Sequence, residues 1–185
     1  MRELALHLLD IAENSISARA NRIDLGVEED TDHDHLNMYV QDNGIGMDEQ
    51  MVARVVDPFV TSRTTRKVGL GIPLLKAAAE ACNGSLTIAS TPGKGTRVDV
   101  TFQRSHIDRM PLGDIAATIF SLVIGSPQVN WVFRYRFDDE EFFFDDALIK
   151  AELNGVPMTE PGILTFIRQM IYEGVVGVQK AANKV

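Results

Sequence analysis

Apolar residues recur with a helical period over residues 3–18, where Leu4, Ala5, Leu8, Leu9, Ile11, Ala12 and Ile16 share one broad face. Glu3, His7, Asp10, Glu13, Asn14 and Ser17 fall on the opposite face. The period then shortens. Arg22–Glu28 and His35–Gln41 read as two strands, with the polar stretch EEDTDHDH between them as a hairpin loop. Asp48 is a fitting N-cap for a short helix to Val56, which Asp57-Pro58 ends. FVTSRTTRKVGLG carries no period and reads as a loop. Ile72–Cys82 is helical, with Pro73 tolerated in its first turn and Asn83-Gly84 stopping it. Ser85–Ser90 and Thr96–Phe102 form a second strand pair across the turn TPGKG. Beyond residue 103 the pattern predicts a helix near Gly113–Ile124, a strand pair at Trp131–Phe137 and Glu141–Asp145, and a helix near Thr159–Glu173. The apolar WVFRYRF and FFF stretches there either complete the core or form a partner surface.

Composition narrows the class. A chain of 185 residues, 45% hydrophobic, fills one domain or one domain with an extension. The single cysteine, Cys82, excludes an internal disulfide and suits a reducing, cytoplasmic setting. The N-terminus enters its amphipathic helix at once, so no signal peptide is expected. The longest apolar run, Ile115 to Gly125, is too short to span a bilayer, and no membrane partner is expected. A net charge of −8 and a pI near 5.0 repel nucleic acid phosphates. Arg63, Arg66 and Lys67 make the one short basic stretch that stands out on this acidic chain.

Three places carry candidate chemistry. The strand Leu36–Val40 runs into Asp42, Asn43, Gly44, Ile45 and Gly46. Asn-Gly explains a turn; alternatively the carboxylate reads a ligand that the glycines let the backbone approach. On the first helix, Asp10 and Asn14 lie one turn apart with Glu13 beside them, and this helix face carries no lysine or arginine until Arg19. Such oxygens either face solvent or suit a hard cation such as Mg²⁺. In KVGLGIPLL, Gly69, Leu70 and Gly71 precede a helix whose N–H groups favour an anion, with the basic stretch just upstream. No GxxxxGK[ST] is present, so this is not a P-loop. Gly93 and Gly95 are explained by a hairpin turn, and Thr96 opens the strand after it.

Taken in order, these motifs resemble the ATP-binding domain of the superfamily containing DNA gyrase B, the Hsp90 chaperones, histidine kinases and MutL. The wording from DPFVTSR through GLGIPLLKAAAEACNGSLTIASTPGKGTRVDVTF is most similar to the histidine kinases. The resemblance covers about residues 2–103. It implies an α+β fold: an α/β sandwich of the Bergerat type, a mixed sheet covered on one face by helices, with a lid loop over ATP. Residues 1–103 would form that domain and 104–185 a C-terminal α+β extension. It further implies that Asp42 binds the adenine amino group and that Thr96 joins its water network. Gly44 and Gly46 would pass beneath the base. Asn14 would bind Mg²⁺. Gly69, Leu70 and Gly71 would meet the phosphates, with Arg63 and Lys67 as charge partners.

The match also has departures. Asp10 stands where hydrolysing members carry a glutamate base and histidine kinases an asparagine. Lys67 replaces a lid glycine. The resemblance expects a phosphoacceptor helix upstream, and none is found; residues 104–185 are expected to supply the strand and helix that kinases place before the asparagine helix. HIDRMP, His106–Pro111, mimics an acceptor motif but has Ile107 in place of its acidic residue, and it reads equally as a strand-exit loop. The implied function is a Mg-ATP-binding kinase or regulatory module acting on a partner protein or within a homodimer. The alternatives are an ATPase switch that uses Asp10, or a nucleotide sensor without chemistry.

Overall fold

The computed structural model describes residues 3–57, 71–153 and 155–182. In chain order the elements are α1 (Leu4–Ser17), β1 (Arg22–Asp30), β2 (His35–Asp42), α2 (Glu49–Val55), α3 (Gly71–Ala81), β3 (Ser85–Thr91), β4 (Gly95–Gln103), α4 (Ile115–Gly125), β5 (Asn130–Phe137), β6 (Glu140–Asp145), α5 (Asp146–Glu152) and α6 (Pro161–Ala182). The six strands form one sheet in the order β3-β4-β2-β1-β5-β6. Only the β1–β5 pair is parallel among the described strands.

Alternation along the strands decides which face is covered. Ile23, Leu25 and Val27 of β1 are buried, as are Leu36, Met38 and Val40 of β2 and Val98, Val100 and Phe102 of β4. Leu4, Leu8 and Ile11 of α1 close over this face. The helix lies between α3 and α4 and touches both. That sandwiching widens its buried arc to include His7, which a single apolar stripe leaves out, while Ser15 is buried within the stripe itself. His7 was expected on the polar face; the neighbouring helices cover it instead. The other face of the sheet is polar and carries ion pairs such as Arg97–Asp99 and Arg22–Asp24. Exposed pairs of this kind stabilise little.

The C-terminal segment extends the same sheet. β5 lies parallel to β1 from Arg22↔Asn130 to Glu29↔Phe137. Trp131, Phe133, Tyr135 and Phe137 alternate into the core, and Phe144 of β6 joins them. The WVFRYRF stretch thus completes the core. Asp146 starts α5 fully buried; it accepts a 2.9 Å hydrogen bond from Trp131 N–H, and Lys150 Nζ lies 2.8 Å from its other oxygen. This carboxylate fastens α5 to the start of the parallel strand β5. Neither α5 nor the full length of α6, which runs on to Ala182, was expected from the sequence pattern.

Candidate nucleotide site

The C-terminal end of β2 and the start of β4 are hydrogen-bonded neighbours, Asp42 opposite Thr96. This register brings together two residues far apart in sequence. Ser15 reaches the same point from the last turn of α1, and its Oγ donates to Asp42 Oδ2 at 2.7 Å. Gly44 N–H donates to Asp42 Oδ1 at 2.8 Å and Thr96 N–H to the same oxygen at 3.3 Å. Asp42 is 8% exposed. An ionised carboxylate accepts at about four lone-pair positions. Three donors hold this one in place, which leaves acceptor capacity directed at whatever fills the neighbouring cavity.

That cavity measures about 450 Å³ and is lined by Asn14, Ser15, Asp42, Gly46 and Thr96. The size lies within the roughly 300–1,000 Å³ typical of small-molecule sites. Its remaining wall is largely apolar, with Ile11, Ile45, Met51, Val55, Ile72 and Val98 facing inward. A flat apolar ring with one hydrogen-bonding edge matches this arrangement: apolar walls for its faces, the carboxylate for its edge.

A second hydroxyl network supports Thr96. Ser90 Oγ donates to Gly95 C=O at 3.0 Å, accepts from Met47 N–H at 2.7 Å and lies 2.8 Å from Thr96 Oγ1. With the Ser90 proton committed to Gly95, Thr96 is the donor to Ser90, and its own lone pairs remain available. Ser15 and Ser90 are the residues that sequence reasoning missed. Both had a readable signal. Ser15 continues the buried series Leu4, Leu8, Ile11, and Ser90 continues Leu86 and Ile88 on the covered side of β3. A hydroxyl at a core position of an otherwise apolar series needs a partner.

The loop glycines have a local cause. Gly46 adopts φ +66°, and a Cβ there would lie 2.0 Å from the Thr91 carbonyl oxygen. Gly71 opens α3, and a Cβ would fall 1.7 Å from Asp10 Oδ2. The Asp10 carboxylate therefore packs directly on the first residue of α3, while Asn14, one turn further along α1, lines the cavity. Of the residues that the sequence proposed for this site, Asp10, Asn14, Asp42, Gly44, Gly46, Gly71 and Thr96 gather around this end of the sheet. Arg63, Lys67, Gly69 and Leu70 lie outside the described residues.

The model of the histidine kinase-, DNA gyrase B-, and HSP90-like ATPases matches residues 2–106. The chain belongs to this family. Among its relatives are the Non-motile and phage-resistance protein of Caulobacter vibrioides, 34% identical over 119 residues that make up 60% of this chain and 14% of that protein. The sensor histidine kinase YxdK of Bacillus subtilis is 33% identical over 90 residues, 46% of this chain and 27% of that protein. The chain thus corresponds to a small part of these relatives' length. Among solved structures, the Aquifex aeolicus MutL ATPase domain complexed with ADP matches 94% of this chain and 70% of its own, with TM-score 0.54 and 12% identity. That likeness concerns the fold: the mixed sheet with helices of this ATPase family. Among the described residues, no helix is long and apolar enough to cross a membrane.

Proposed function

We propose that this chain is a Mg-ATP-binding module of the histidine-kinase type that acts on a phosphate acceptor outside its own 185 residues. The observation that carries the reading is the buried Asp42 carboxylate, fixed by Ser15, Gly44 and Thr96 at the mouth of an apolar cavity. Adenine presents an amino donor to such a group, whereas guanine presents a carbonyl acceptor at that position and would be rejected by it. A water that donates to Asp42 and to Thr96 Oγ1 keeps its lone pairs free to accept from the adenine amino group. Family membership supports the triphosphate that would follow the base.

The residues present fit a magnesium ion of a particular kind. Mg²⁺ keeps several waters and binds substrate phosphates with one or two protein oxygens. Among the described residues no three acidic, histidine or cysteine side chains converge on one point, but the Asn14 side chain lines the cavity. Its amide oxygen would hold the ion, which would offset charge on the phosphates. Asp10 sits against the start of α3, placed to orient a water or hydroxyl at that end. That placement favours a second reading, in which Asp10 acts as base for hydrolysis.

An acceptor outside these residues follows from the histidines. The sequence has four, and none lines the cavity. His7 is buried in α1, His33 pairs with Asp30, and His35 begins β2, opposite Gln103. His106 follows the far end of β4. Thr96 and Gln103 are roughly 23 Å apart at about 3.3 Å per residue.

The test is incubation with γ-labelled Mg-ATP, scoring label on the chain and released phosphate. The proposal expects nucleotide binding and no stable label on the chain. Label that disappears in His106→Gln would overturn it. Steady phosphate release abolished by Asp10→Ala would favour the hydrolytic reading instead.

A further inference from the structure

Helices α5 and α6 border a second cavity, a groove of about 450 Å³. None of its lining residues lines the nucleotide cavity. Helix α6 gives Ile167, Ile171, Val175 and Val178 to the core. Ile163, Phe166 and Met170, spaced i, i+3, i+7, form a second apolar stripe beside that one. Leu148, Ile149 and Leu153 face it from the α5 side. Phe166 is 56% exposed and Leu148 69%. Folding has left large apolar side chains at the lip of a groove, which costs free energy in water unless something else covers them.

Among the described residues, the charged ones in the lining are Glu152 and Glu160. Glu160 is held in place: its Oε2 accepts from the N–H groups of Gly162 and Ile163 at the start of α6. The rim is therefore acidic, on a chain whose net charge is −8.

We propose that this groove receives an amphipathic helix of a partner protein, with apolar residues on one face and lysine or arginine flanking them. The dimensions fit. The seven residues of α5 span roughly 10 Å at 1.5 Å each, two turns of helix, the length over which a docked helix offers anchors at i, i+3 or i+4, and i+7. Met170 gives the floor an adaptable surface. Charge selects between occupants. A second copy of this chain would bring a second acidic rim and a further net charge of −8, whereas the lysines or arginines of a basic-flanked helix are drawn to the acidic rim at the edge of the apolar contact.

The experiment uses the full chain and two synthetic helical peptides with leucine at i, i+3, i+4 and i+7. One has lysine at the remaining positions, and its twin has glutamate. Fluorescence anisotropy is the readout, with circular dichroism as the check on folding. The lysine peptide is expected to bind, and the glutamate twin to bind about tenfold or more weakly. Phe166→Ser and Leu148→Ser, both at exposed positions, are each expected to weaken the lysine peptide by about tenfold or more, since each removes a large apolar contact. Equal binding of the two peptides would overturn the proposal. So would binding indifferent to both serine substitutions, or no binding at all. Sedimentation that showed a dimer broken by Phe166→Ser would assign the groove to a second copy instead.

Discussion

Asp42 shows how much one side chain depends on its neighbours. Its oxygens take hydrogen bonds from α1, from the loop after β2 and from β4, so three separate segments must be folded before the carboxylate is aimed. Ser15→Ala removes one of these charge-assisted bonds, which contribute about 1.5–3 kcal/mol each. We expect Mg-ATP affinity to fall by roughly tenfold or more and the thermal transition to drop by several degrees, read by calorimetry beside a melting curve. The aspartate itself was legible because the residue types in DNGIG are unusual for a strand end. Ser15 was legible only as a hydroxyl set into the Leu4, Leu8, Ile11 series; its partner, 27 positions away in sequence, was not. His7 marks the same limit. Burial, then the nearby N-terminal charge, lowers its pKa from 6.5, against an upward pull from Asp10. Its Nδ1 has no hydrogen-bond partner among the described residues. The unfolded chain therefore takes up a proton below about pH 6.5 that the folded chain refuses, so the stability owed to neutral His7 is present above that pH and lost as the pH falls. His7→Leu should flatten the acid limb of a denaturation-versus-pH profile between pH 6.5 and 5; an unchanged slope would show that His7 titrates normally in the fold.

At the scale of elements, periodicity carried α1, α3, α4 and the strands to within a few residues of their observed ends. It failed for α5, whose seven residues follow β6 without an intervening turn and give a helical period too little length to show. It also stopped α6 short, because Tyr172, Glu173, Gly174 and Gly177 dilute the apolar stripe that Val175 and Val178 continue. The loop from β2 to α2 depends on one backbone conformation. Gly46→Ala would place a Cβ at positive φ against the Thr91 carbonyl. The conformational cost alone is roughly 1–2 kcal/mol, and the clash adds to it. Chemical denaturation should show a loss of at least that size, together with weakened nucleotide binding because the loop also carries Gly44 to Asp42. Gly71→Ala acts differently: its Cβ would collide with the Asp10 carboxylate, so on the hydrolytic reading it should slow phosphate release more than it weakens adenosine binding.

For the whole molecule, the motifs from residue 2 to 103 made the family legible, while the role of the remaining chain was not. Ligand-facing residues announce themselves by type and spacing, but a strand that completes a sheet looks like any other apolar stretch until its partner is known. β5 covers the edge of β1 and supplies Trp131, Phe133 and Tyr135 to the shared core. We propose that residues 104–185 are a structural half of one folding unit. A chain cut after Gln103 would expose the β1 edge and the flank of α1 that packs on α4, and it should show no cooperative thermal transition. A well-folded fragment that still bound ATP would make the C-terminal segment a separate unit.

The central claim is that the cavity beside Asp42 selects adenine. Isothermal calorimetry of the full chain with Mg-ATP and with Mg-GTP, repeated on Asp42→Ala, tests it most directly. The account predicts measurable ATP binding, none detectable for GTP, and loss of the ATP signal in Asp42→Ala while circular dichroism shows the fold retained. Unchanged ATP affinity in a folded Asp42→Ala protein would contradict it.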